Sequence, residues 1–145
     1  MTPFVWRARV YWEDTDGGGI VYYANYLRFL ERARTEWLRA LGFSQDQLAR
    51  DEGFVFTVVN VTVDYKRPAR LDDELFITCV PETLRSASIR FAQRVYRGPI
   101  SVDEPGAENL LVEAQVRVAC VDAQALRPRR MPEFMLNILA SKELS

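Results

Sequence analysis

Between about Tyr23 and Leu41, apolar residues recur at Tyr26, Leu30, Ala33, Trp37 and Leu41, the spacing of one face of a helix. No other stretch of the chain keeps that period for as long. On either side the pattern is that of strands. Phe4, Trp6, Ala8, Val10 and Trp12 alternate with more polar neighbours from Phe4 to Glu13, and further candidates run Phe54 to Lys66, Glu74 to Leu84, Ser88 to Arg97 and Asn109 to Val121. A single long amphipathic helix among five strands has to bury its stripe on a sheet, which predicts an α+β domain. The connections Arg67 to Asp73 and Arg85 to Ala87 suit antiparallel neighbours, because parallel pairing needs crossover helices.

Punctuation supports these boundaries. Gly42 suits a left-handed cap for the long helix, Ser44 can cap a short helix over Gln45 to Asp51, and Pro132 opens a last short helix ending near Ala140. Arg28, Glu31, Arg32, Glu36 and Arg39 fill the polar side of the long helix, with Arg32 and Glu36 spaced to pair. The loop from Arg97 to Glu108 holds two glycines and two prolines and is expected to form an extended hairpin tip. At 145 residues, with 48% apolar and 27% charged residues, the chain fits one globular domain, residues 1–145.

Acidic and basic residues number 20 and 19, so no global field recruits nucleic acid. Charge appears at Arg7 before any long apolar run, which argues against a spanning segment and makes the cytoplasm the expected location. Cys79 and Cys120 fall inside apolar strand-like runs, with no other Cys or any His nearby, so core packing is expected rather than a metal site. No cofactor is implied.

The chemistry concentrates in Glu13-Asp14-Thr15-Asp16-Gly17-Gly18-Gly19, which leads through Ile20 to Tyr23 into the helix. A carboxylate can serve as base or nucleophile, and glycines let a ligand approach the backbone. A helix start adds free N–H donors and about half a positive charge, suited to an oxyanion. Taken alone, Asp14 and Asp16 could equally be turn formers, since Asp followed by Gly is a common turn pair. Tyr22 and Tyr26 suit packing with one hydroxyl partnered, whereas Tyr23 would present its N–H at the helix start.

Two blocks carry a resemblance. Val10-Tyr11-Trp12-Glu13-Asp14-Thr15-Asp16 with Gly18-Gly19-Ile20-Val21-Tyr22, then Asn25-Tyr26 and Phe29 to Glu36, resembles the hotdog-fold acyl-CoA thioesterases. More narrowly it is similar to the Tol-Pal-associated YbgC-type branch, a relative of 4-hydroxybenzoyl-CoA thioesterase. Val63-Asp64-Tyr65 with Pro68-Ala69-Arg70-Leu71-Asp72-Asp73 supports the same resemblance, which runs from about Phe4 to Pro132. It implies a central helix wrapped by a curved five-stranded antiparallel sheet, a homodimer or homotetramer built through the sheets, and a site at the dimer interface. Asp16 matches the family's carboxylate, and Gly19 with the turn into Tyr23 matches the region whose N–H polarises the thioester carbonyl.

Gly18, Tyr22 and Asn25 in the same block, and Arg85, Ser86 and Ser88 after the third strand, are the candidate acyl-CoA contacts; a solvated turn is as good a reading for the last three. Arg127, Arg129 and Arg130 form a basic run that is most simply a solvated surface. Many YbgC-type sequences carry a histidine where this chain has Tyr23, while hydroxybenzoyl-type enzymes carry a tyrosine. With no histidine in the chain, a hotdog dehydratase is disfavoured. The alternative to acyl-CoA hydrolysis is a weakly catalytic or non-catalytic scaffold that binds acyl-CoA or acyl carrier protein, linked to envelope or phospholipid metabolism.

Overall fold

The computed structural model describes residues 3–141. Strands β1 (Phe4–Arg9), β2 (Phe54–Tyr65), β3 (Glu74–Arg85), β4 (Ser88–Arg97) and β5 (Leu110–Asp122) form one sheet. Their order is β1-β3-β4-β5-β2, and every neighbouring pair is antiparallel. The helix α1 (Tyr26–Ala40) packs on one face, giving the α+β hotdog arrangement of a long helix against a five-stranded antiparallel sheet. Tyr26, Phe29, Leu30, Ala33, Trp37 and Leu38 of α1 are buried against Leu75, Ile77, Phe91, Val95, Ala114 and Val116. Each large apolar side chain buried there stabilises the fold by roughly 1.5–3 kcal/mol.

α1 stops where its backbone is capped. Phe43 N–H donates to Leu38 O at 3.0 Å and Gly42 N–H to Arg39 O at 3.0 Å, with Gly42 at φ +96°, the paired bonds of a left-handed glycine cap. Ser44 Oγ then accepts Gln47 N–H at 3.4 Å to open α2 (Gln45–Gln47), which continues as a wider turn over Leu48–Glu52. Near the chain end, α3 (Glu133–Ala140) buries Met135 and Leu139 beside Phe54 and Cys120.

Several expectations are corrected. β1 ends at Arg9 rather than Glu13, because Asp14 Oδ2 accepts Tyr11 N–H at 2.8 Å and Thr15 Oγ1 donates to Trp12 O at 2.7 Å, winding Trp12–Asp14 into a 3₁₀ turn. Trp12 is therefore 81% exposed instead of lying on an inward strand face. The polar side of α1 pairs Glu36 with Arg39 rather than with Arg32. The loop after β4 is not an extended tip. Val102 and Pro105 fold over the sheet face away from α1 and, with Thr78, Arg94, Tyr96 and Glu113, bound a cleft of about 840 Å³.

One buried polar group had no counterpart in the sequence pattern. Arg34 on α1 is only 8% exposed and donates from Nη1 to Gln93 Oε1 at 3.1 Å. Gln93, fully buried, in turn donates to Leu30 O at 3.1 Å and Thr78 O at 3.3 Å, tying helix to sheet. Desolvation pulls the Arg34 pKa down from its ordinary value. Cys79 and Cys120 are buried free thiols, as expected; burial raises both, Cys120 to about 11.

Candidate active site

After the 3₁₀ turn the chain reverses tightly around one carboxylate. Asp16 N–H donates to Ile20 O at 2.8 Å, Gly19 N–H to Asp16 O at 3.3 Å, and Gly18 N–H to Asp16 Oδ1 at 2.7 Å. Gly19 sits at φ +79°, a conformation in which a side chain would crowd the following carbonyl. At Gly18 an added Cβ would come within 3.3 Å of Asp16 Oδ1. Both glycines therefore shape the turn that holds the carboxylate, and the bond from Gly18 N–H engages its Oδ1.

The other arm of the reversal leads directly into the helix. Thr15 bridges Val21, and Asp14 O accepts both Tyr22 N–H at 3.0 Å and Asn25 Nδ2 at 2.9 Å. One 3₁₀ turn, Tyr23–Asn25, then runs into α1. As the first residues of that turn, Tyr23 and Ala24 direct N–H groups forward with no earlier helical carbonyl to accept them. The helix dipole adds partial positive charge at the same point. The Asp16 carboxylate and the first turn of the helix thus belong to one hydrogen-bonded reversal.

A second segment, residues 68–73, straps this reversal to the sheet. Val21 N–H donates to Ala69 O at 2.9 Å, Ile20 bridges Arg70, and Leu71 N–H donates to Gly19 O at 3.3 Å. The strap is fastened from behind. Asp73 Oδ2 accepts Arg70 N–H at 2.8 Å and Arg97 Nε at 2.9 Å, while Arg97 Nη2 donates to Pro68 O at 2.7 Å.

Four tyrosines line the helix entry. Ring centroids lie 4.9 Å apart for Tyr22 and Tyr23, 6.2 Å for Tyr23 and Tyr65, and 5.7 Å for Tyr26 and Tyr65. Tyr65 OH donates to Tyr23 O at 3.1 Å. The hydrogen bond with Tyr23 raises the Tyr22 pKa, and burial raises those of Tyr26 and Tyr65. These three hydroxyls remain protonated at neutral pH.

The structure brings Asp16, Gly18, Gly19, Tyr22, Tyr23 and Asn25 into one corner. Within it, the Asn25 side-chain amide is committed to the Asp14 carbonyl, so it braces the loop instead of reaching outward. Arg85, Ser86 and Ser88 lie elsewhere. They form the β3–β4 hairpin, whereas the Asp16 corner adjoins Asp73 at the other end of β3, where Val10 N–H donates to Asp73 O. Across the strand that separation is roughly 36 Å, at about 3.3 Å per residue. In the basic run, Arg129 lies over the Phe54 ring at 5.7 Å and Arg130 pairs with Glu133 at 3.0 Å.

Sequence reasoning missed the strap fasteners Asp73 and Arg97, which are 24 residues apart and carry no local signal. It gave Tyr26 a packing role with its hydroxyl partnered but did not identify the partner, Ala69 N–H.

The pattern of the thioesterase-like superfamily matches residues 10–139. The acyl-CoA thioester hydrolase YbgC of Escherichia coli O6:H1 is 47% identical over 136 residues, covering 93% of this chain and 94% of that protein. The acyl-CoA thioesterase YbgC of Haemophilus influenzae is 41% identical, covering 90% of this chain and 89% of that one. Among solved structures, a probable thioesterase from Bartonella henselae superposes with a TM-score of 0.78 at 37% identity, covering 88% of this chain and 98% of its own.

Proposed function

The chain belongs to the thioesterase-like superfamily, and from that premise we propose that it hydrolyses a short- or medium-chain acyl-CoA thioester to the free acid and coenzyme A. The observation that carries this reading is the shared reversal: the Asp16 turn closes on Gly18, Gly19 and Ile20, while Asp14 O, two residues before it, accepts Tyr22 N–H and the Asn25 side-chain amide at the entry to the helix. A thioester carbonyl seated between them turns its oxygen to the Tyr23 N–H. Negative charge developing on that oxygen meets a preorganised donor and the positive end of α1. Asp16 Oδ2 either takes a proton from an attacking water, or attacks the carbonyl carbon itself to form a mixed anhydride that water then hydrolyses to the free acid and the restored carboxylate; in each route the coenzyme A sulfur leaves as thiolate and is protonated. Both routes use the same two groups, and neither needs the imidazole that this chain lacks.

The site is shared across a dimer in this reading. β2 is an edge strand with Val58, Val59, Val61 and Tyr65 exposed, a surface that a second copy can cover. Antiparallel pairing of two β2 strands sets the Tyr65 end of one beside the Phe54 end of the other. Phe54 pairs with Asp122, and Ser88 with Ala119, so the partner's 85–88 hairpin belongs to the end that arrives. Arg85, Ser86 and Ser88, remote from Asp16 within one chain, then face the coenzyme A portion from across the interface.

Incubating the purified protein with a panel of short- and medium-chain acyl-CoA thioesters and a free-thiol reagent tests the proposal. One coenzyme A thiol is released per thioester consumed, and the rate per protomer falls on dilution to monomer. No release from any member of the panel contradicts the hydrolase reading, and full activity in a demonstrated monomer contradicts the shared site.

A further inference from the structure

Tyr26 is the first residue of α1 and 3% exposed, yet its hydroxyl is not idle. Its oxygen accepts Ala69 N–H at 2.9 Å, a buried bond between residues 43 apart in sequence. Ala69, fully buried, passes that constraint on through its carbonyl, which accepts Val21 N–H at 2.9 Å. Ile20 and Gly19 are held by the same strap, through the bridge to Arg70 and the bond from Leu71 N–H to Gly19 O at 3.3 Å. Gly19 closes the Asp16 turn. The other half of the site, the Tyr23 and Ala24 donors, is joined to Tyr26 directly by the chain through one 3₁₀ turn.

We propose that Tyr26 is a positioning residue: it touches no substrate, and by anchoring the 69–71 strap to the first turn of α1 it fixes the Asp16 carboxylate relative to the Tyr23 N–H. The inference rests on Asp16 and Tyr23 being the reacting pair. A packed ring gives the anchor its rigidity, with the Tyr65 ring 5.7 Å away and Leu30, Val21 and Ala69 in the same buried cluster. Loss of the hydroxyl leaves Ala69 N–H without its acceptor in a dry setting, and the strap shifts or loosens to recover one. Catalytic groups are sensitive to such shifts, since misplacement by about 1 Å can cost roughly a hundredfold in rate.

The test compares Tyr26→Phe, Asp16→Asn and wild type on the acyl-CoA that wild type turns over fastest, together with amide hydrogen exchange. In Tyr26→Phe, kcat falls roughly tenfold to a hundredfold while KM stays within about twofold, because ground-state binding does not depend on the alignment. The Val21 and Leu71 amides exchange faster, and those between β4 and β5 are unchanged. A kcat within about twofold of wild type, a loss carried wholly by KM, or unchanged exchange at Val21 and Leu71 overturns the proposal. Full activity in Asp16→Asn would instead overturn the site assignment, and the exchange rates would still decide whether Tyr26 anchors the strap. Should Tyr26→Phe fail to fold, wild-type exchange decides: Val21, Ala69 and Leu71 opening as one cooperative unit upholds the anchor, and independent exchange of the three overturns it.

Discussion

The two halves of α1 rest on different kinds of contact. Its C-terminal half, around Trp37 and Leu38, sits among large side chains: Phe43, Phe54, Phe91, Met131, Met135 and Leu139, with Trp37 and Phe91 edge to face at 5.2 Å. Its N-terminal half, from Tyr26 to Ala33, packs on smaller neighbours such as Val10, Val21, Ala69, Val95 and Ala114, interleaved with hydrogen bonds to two loops. Bulk at one end stabilises the fold by area buried. Small residues at the other let backbone segments come close enough to bond, and there lie the carboxylate and the helix entry to which we assign the chemistry. One helix is therefore held by bulk along one stretch and, in the proposed function, serves alignment along another.

That separation is open to measurement. The largest stability effect is expected from Trp37→Ala, at about 3–5 kcal/mol by urea denaturation, with kcat per folded molecule unchanged. A matching loss of kcat would show the two halves to be coupled. Gly19→Ala should show the opposite balance. The strained φ costs about 1–2 kcal/mol, and turnover falls further than that stability loss accounts for, because the turn that carries Asp16 is distorted.

Smaller effects probe each region alone. Native protein should leave Cys79 and Cys120 unmodified by a thiol reagent at neutral pH, since burial raises both thiols and holds Cys120 up to about 11; both react on unfolding. Rapid labelling of the native state would contradict the dry packing of the C-terminal half. At the exposed turn after β5, backbone N–H groups of Ala125 and Gln124 hold the Asp122 carboxyl below its ordinary value. The stabilisation is present above the unfolded pKa and is lost as pH falls through the lower folded value. Acid titration of the Gln124 and Ala125 amide shifts measures it, and Asp122→Asn abolishes the transition.

Much of this was legible in the sequence because it is local. The 3.6 period of Tyr26 to Leu41 and the alternation of the strands report which face is buried, and Asp followed by glycines reports a turn. Alternation misled at Trp12, where Asp14 two residues on captured the Tyr11 N–H and took the chain out of the strand. Arg34 was invisible as a buried group because its partner Gln93 lies 59 residues away. The Tyr26 to Ala69 bond was hidden for the same reason. The hairpin holding Arg85, Ser86 and Ser88 was found, but its distance from Asp16 follows from strand order, which residue patterns do not encode.

Hydrolysis at the proposed site turns on the Asp16 carboxylate, and the most direct measurement is kcat for acyl-CoA hydrolysis beside the melting temperature in wild type and Asp16→Asn. The expected result is a loss of roughly a hundredfold to ten-thousandfold in kcat with a melting temperature essentially unchanged, because this exposed group contributes chemistry rather than packing. Equal turnover by the two proteins would contradict it.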